Sequence, residues 1–167
     1  MGCDIHMYVE YRPKSQVGRN WLCGDHFHTM DPLRIPSLKR MALHGERNYD
    51  LFAVLADVRN YDNVEYIDEP RGIPNDCTEY VAREYERWDI DAHSASYFTL
   101  RELIEFKVEH EPRDRFGRDI LKPLIDKLKR RADELDLIWD FEWGRENTAK
   151  VALERAENIR IVFWFDN

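Results

Sequence analysis

Two Asp-x-His triplets, Asp4-Ile5-His6 and Asp91-Ala92-His93, hold the side chains of this chain best suited to chemistry. Residues i and i+2 of an extended strand point to the same side, so each triplet can present a carboxylate and an imidazole together. Converging, they would form a site for a divalent metal ion, zinc or manganese rather than magnesium. They would equally form a metal-free acid–base site. Asp166 joins the set if the last strand pairs antiparallel with the first, because that pairing lays the chain's end beside its start. A one-residue slip would turn Asp166 to the other face. The plain alternative is that Asp4 and His6 cover a solvent face. Asp89, Asp91, His93, Ser94 and Ser96 then form a capping and turn cluster.

Further candidates lie around these triplets. His26 and His28, in Gly24-Asp25-His26-Phe27-His28, share a face if extended and are candidate acid–base groups. The alternative is a surface loop with solvated histidines. Arg71 stands between Pro70 and Gly72 in a loop that also holds Pro74, and a rigidly held guanidinium suits a phosphate or carboxylate. Arg47 and Arg59, which flank a predicted helix, could serve in the same way. Cys3 beside an imidazole is a possible nucleophile, but on a strand it points away from Asp4 and His6. No nucleotide-binding glycine loop, zincin helix, nucleophile elbow or EF-hand pattern occurs.

These side chains must be positioned by a modest set of elements. Residues 3–11 alternate and are rich in β-formers, which predicts a strand with Cys3, Ile5, Met7 and Val9 on one face. Asp4, His6, Tyr8 and Glu10 line the other. A short strand is expected at 20–23, irregular chain at 24–47 and a helix at 49–59. A loop at 69–76 precedes a second helix at 78–87, and 88–98 is the polar region of the second triplet. Thr99 and Glu102 make a capping box, which starts a helix just after it. The longest helix is expected at 119–137, another near 146–156, and an apolar, central strand at 159–166.

The chain has 167 residues, 43% hydrophobic and 13% aromatic, which bounds it to one folded domain spanning 1–167. The formal net charge of −8 argues against a surface built to grip duplex nucleic acid, while leaving room for a local basic patch. No run of residues suits a membrane span, and three scattered cysteines point to a reducing cytoplasm.

The opening Met-Gly-Cys-Asp-Ile-His, the Pro70-Arg71-Gly72-Ile73-Pro74 loop, Asp91-Ala92-His93-Ser94 and the ending Phe163-Trp164-Phe165-Asp166-Asn167 resemble a family of small proteins common in bacteriophage genomes. The resemblance implies a phage origin and an accessory role inside the bacterial host cell. It assigns no catalytic residue.

The expected architecture is α+β, with an antiparallel or mixed sheet holding both terminal strands and helices packed on one face. The leading functional expectation is a metal-dependent hydrolase of a nucleotide or small phosphoester. Asp4, His6, Asp91, His93 and Asp166 would hold the metal, Arg71 would clamp the anion, and His26 or His28 would move protons. The alternative is a protein without chemistry, which sequesters a nucleotide ligand or binds and inhibits a host factor.

Overall fold

The N-terminal segment alternates apolar and polar residues, the C-terminal one is nearly all apolar, and each needs a partner strand to satisfy its backbone. In the computed structural model they find each other. β1 (Asp4–Tyr11) pairs antiparallel with β4 (Ile159–Asp166) along its whole length, from Asp4 opposite Asp166 to Tyr11 opposite Ile159. β3 (His93–Thr99) flanks β4 on its other side and β2 (Leu22–Cys23) flanks β1, giving an antiparallel sheet in the order β2-β1-β4-β3. The structure describes residues 2–12, 20–24, 43, 47–139 (backbone alone from 133) and 155–167.

The central position of β4 follows from its composition. Seven of its eight residues are buried, so it must be covered on both faces. On one face, Ile5, Met7 and Val9 of β1, Phe98 of β3, and Ile159, Ile161, Phe163 and Phe165 of β4 form the main core. Against it pack α1 (Tyr49–Ala56), α3 (Leu100–His110) and the first turns of α4 (Lys122–Trp139). The caps are local: the Asn48 side chain accepts the Leu51 N–H, Thr99 and Glu102 form the full capping box, and Asp119 accepts the Lys122 N–H. Pro123 falls in the first turn of α4, where its missing N–H costs nothing.

The second face carries a smaller cluster and the remaining helix. α2 (Glu79–Glu86) sets Val81 against Val162 and Trp164, among Tyr8, Tyr80, Tyr85 and Trp88. The expected one-sided arrangement of helices thus holds for α1, α3 and α4, whereas α2 lies across the sheet from them. Val81 is the only fully buried residue of α2, too little apolar area to dock a helix by itself.

A buried ion pair supplies the rest. Glu10 and Arg160 stand opposite each other on β1 and β4, and both side chains are almost wholly buried. Glu10 Oε2 accepts from Arg160 Nε at 2.7 Å, and Oε1 accepts the Thr78 N–H at the α2 N-cap at 2.6 Å. Arg160 Nη1 donates to Asp76 Oδ1 at 2.8 Å. Asp76 Oδ2 accepts from Trp21 Nε1 at 2.9 Å and from Arg12 at 3.1 Å. The Arg12 and Arg160 guanidiniums each lie 4.0 Å from the centre of the Trp21 ring. Stranding one member of a buried pair costs far more than the pair contributes over an apolar replacement.

No described helix is long and apolar enough to cross a membrane.

Glu10→Ala is expected to destabilise the fold by about 3–5 kcal/mol in chemical denaturation. Glu10→Met/Arg160→Met should lose less than the sum of its single variants, because neither charge is stranded. Strict additivity would count against the coupling. Burial by itself would raise the Asp76 carboxyl, but the hydrogen bonds from Arg160 and Trp21 and the charges of Arg160 and Arg12 outweigh it and hold the group below its ordinary 3.8. A carboxyl lowered in the folded state stabilises fully above its unfolded value and loses that contribution as pH falls through its folded value. The stability advantage of wild type over Asp76→Asn is therefore expected to be constant at neutral pH and to shrink below about pH 4. Urea melts of both proteins across that range measure it.

Candidate functional site

The β1–β4 register decides what meets at the end of the sheet that holds both termini. Asp4, His6, Tyr8 and Glu10 share one face of β1, and Arg160, Val162, Trp164 and Asp166 share the same face of β4. Asp166 therefore reaches two neighbours. Its Oδ1 accepts the Asp4 backbone N–H at 3.1 Å, and its Oδ2 lies 3.3 Å from His6 Nε2. The His6 ring packs 4.0 Å from Trp88 and 5.8 Å from Trp164, centre to centre. The two side chains stay partly accessible, at 23% for His6 and 18% for Asp166. A carboxylate on one imidazole nitrogen sets the ring's orientation, which is the arrangement of an acid–base pair. Among the described residues, Nδ1 of His6 has no hydrogen-bond partner.

Asp4 is engaged elsewhere. Arg47 grips it bidentately, with Nε at 2.6 Å from Oδ1 and Nη2 at 2.8 Å from Oδ2. The Arg47 hydrogen bonds hold the Asp4 carboxyl below its ordinary range, and Asp4 in turn raises the guanidinium. Gly2 lies against this pair: a methyl group there would sit 2.2 Å from Arg47 Nη1.

The second triplet reaches the same end of the sheet but not the same point. His93 pairs with Phe165, which faces the main core, so His93 and His6 stand on opposite faces. The His93 ring stacks 6.0 Å from that of Phe165. Its Nδ1 is 3.1 Å from Ser94 Oγ, and its Nε2 is buried without a hydrogen-bond partner among the described residues. Ser94 has a φ of +50° within a bulge between His93 and Ser96. This irregularity restores the alternation, so that Ser96 and Phe98 again face the core while Tyr97 faces away. Asp91 is exposed, in the 3₁₀ turn Asp89–Asp91 that precedes β3. Among the described residues, no three His, Cys, Asp or Glu side chains are grouped so as to hold a metal ion. His26 and His28 lie outside the described residues.

Arg71 is already paired. It donates to Asp68 at 3.0 Å and to Glu102 at 2.7 Å, and lies over the Phe98 ring at 4.6 Å. It ties the 68–74 loop to the capping box of α3, and a ligand anion would compete with two carboxylates for it. Arg59 donates to the Asn167 side chain at 3.3 Å. Cys3 is buried in the main core, and desolvation raises its thiol more than Arg59 lowers it. That is the environment of an inert thiol.

Three partners here go beyond what the motifs suggest. Arg47 occupies Asp4, Trp88 packs on His6, and Glu10 is a buried charge rather than a solvent-face residue. The signal for the last is Arg160, a lone cation in an apolar strand, which requires a buried carboxylate beside it.

Comparison with protein-family models, curated proteins and solved structures finds no significant match.

The thiol environments predict a simple titration. With a thiol-reactive dye, native protein should leave Cys3 and Cys23 unmodified, and Cys77, which is only partly buried, should react slowly. Peptide mapping of the modified residues checks this, and rapid labelling of Cys3 would restore it as a nucleophile.

Proposed function

We propose that this chain is a phage accessory protein that hydrolyses a small phosphoester, a nucleotide among the candidates, at the His6–Asp166 pair. The observation that carries this reading is the 3.3 Å contact between an accessible imidazole and a carboxylate that also accepts the Asp4 N–H. In the proposed reaction, His6 takes a proton from water as the oxygen attacks phosphorus. The ester P–O bond breaks, and the imidazolium returns the proton to the leaving oxygen. Asp166 orients the ring and offsets its charge. Arg47 lies at the rim, where an anion could draw it from Asp4.

A metal-dependent form of the same reading would use Asp4, His6 and Asp166. Arg47 would then have to release Asp4, and His6 Nε2 would have to exchange its carboxylate for the ion. Asp91 and His93 would need a rearrangement of β3 to take part. Elemental analysis of protein purified without a metal-affinity tag, compared with Asp4→Ala, separates the two forms. Stoichiometric metal that is lost in the variant supports the metal form.

A second reading is ligand sequestration without turnover. Trp88 at 4.0 Å covers much of the His6 ring, a packing that suits a contact surface as well as a proton carrier.

The deciding assay incubates the full chain with a panel of nucleotides and phosphodiesters and follows products by chromatography. His6→Ala is expected to lose at least about 100-fold in rate, the usual scale for an acid–base group, and Asp166→Asn rather less. Full activity in His6→Ala would sink the proposal, and recovery of bound but unaltered ligand would select sequestration.

A further inference from the structure

The charge of this chain is unevenly distributed. Residues 113–131 carry eight Arg or Lys against three Asp, a net +5 in a chain of net −8, which leaves −13 on the rest. This stretch comprises the loop between α3 and α4 and the first half of α4. The apolar side of that half-helix, with Leu121, Leu124, Ile125 and Leu128, is spent in the core. Lys129 and Arg130 remain exposed, Lys122 is exposed but paired with Asp126, and Arg131 is buried.

The loop itself is prebuilt. Asp114, whose side chain is only 6% exposed, accepts the N–H groups of Phe116 and Arg118 on Oδ1 and the Arg118 Nε–H on Oδ2. The Gly117 N–H returns to the Asp114 carbonyl, with Gly117 at φ +77°, where a side chain would be strained. Arg113 and Asp119 close the base as an isolated bridge. At the tip, Phe116 is 66% exposed and has no core to fill. The Arg115 and Arg118 guanidiniums lie 4.8 and 5.2 Å from its ring centre. A fixed loop has little ordering entropy left to lose on binding.

We propose that this loop and the cationic side of α4 bind single-stranded nucleic acid, with Phe116 and its flanking guanidiniums as a stacking platform and the exposed lysines and arginines tracking the phosphates. Three features select this partner. An aromatic ring among guanidiniums stacks on any unpaired base. Cations along the adjoining helix match a chain of phosphates. The rest of the chain carries a net −13, which favours this stretch over the remainder for contact with a polyanion. A lipid surface fits less well, because the apolar side of α4 is already buried and Phe116 alone would have to insert. This surface is separate from the His6–Asp166 pair, and the inference does not rest on the hydrolytic reading.

The test is fluorescence anisotropy of end-labelled 20-mer oligothymidine and oligouridine, and of a 20-bp duplex, titrated with the full chain. The single strands are expected to bind more tightly than the duplex. With about four phosphates contacted, affinity should fall roughly 50-fold between 50 and 200 mM salt. Phe116→Ala should weaken binding at least about five-fold, the scale of one stacked base. Lys129→Ala/Arg130→Ala should weaken it and flatten the salt dependence. Both changes are at exposed positions, and matched thermal melts verify that the fold is kept. Undetectable binding to single strands, tighter binding to the duplex, or affinity unchanged in both variants would overturn the proposal. Stronger retention on anionic lipid vesicles than on oligonucleotides would overturn it in favour of a membrane contact.

Discussion

The Glu10–Arg160 pair is the constraint from which the rest of the arrangement follows. Two buried charges are tolerable only when they face each other with their remaining polar atoms satisfied. Glu10 does so with the α2 N-cap and Arg160 with Asp76. A one-residue slip of β1 against β4 would drive Glu10 into the apolar core, so the pair locks the register of the two central strands. At the other end of those strands, the same register sets Asp4 opposite Asp166 and brings His6 to within 3.3 Å of it. The site at the termini is thus positioned by an ion pair that takes no part in it.

The network also explains how the sheet acquires its second layer. α2 buries one residue fully, yet its N-cap amide ends on Glu10, and the loop before it ends on Arg160 through Asp76. Trp21, beside β2, joins the same network through its indole N–H. Polar bonds therefore position the elements that cover His6 and Trp164. Once placed, Trp88 and Tyr85 pack on them and partly shield the face from water.

Much of the fold was legible from local patterns. Alternation marked β1, the apolar run marked β4, and spacing with caps marked the helices, because each signal lies within a few residues of the element it specifies. β3 was not legible as a strand: His93, Ser94, Ala95 and Ser96 have little β-forming character and read as a turn cluster. Apart from the bulged Ser94, they are extended because β4 needs a partner on its open edge. For the candidate site, the juxtaposition of Asp4, His6 and Asp166 followed from antiparallel pairing of the termini. The separation of His93 from His6 did not, since a bulge and a pairing partner decide which face a side chain takes. The pairings of Arg47 and Arg71 were also hidden, because a guanidinium's partner is a long-range matter of packing.

By itself, the sequence determined the α+β class, the faces of β1, the central place of β4 and the capping box of Thr99 and Glu102. It also determined the concentration of positive charge in 113–131. These are properties of composition and short-range spacing, and they hold whatever the elements do next. Only the tertiary structure decided that Glu10 is buried and paired, that Arg47 occupies Asp4, and that His6 and His93 lie on opposite faces of one sheet. Each of these depends on strand register and on which chain segment covers which face. Such choices are made by distant groups competing for the same partners, and no local pattern encodes them.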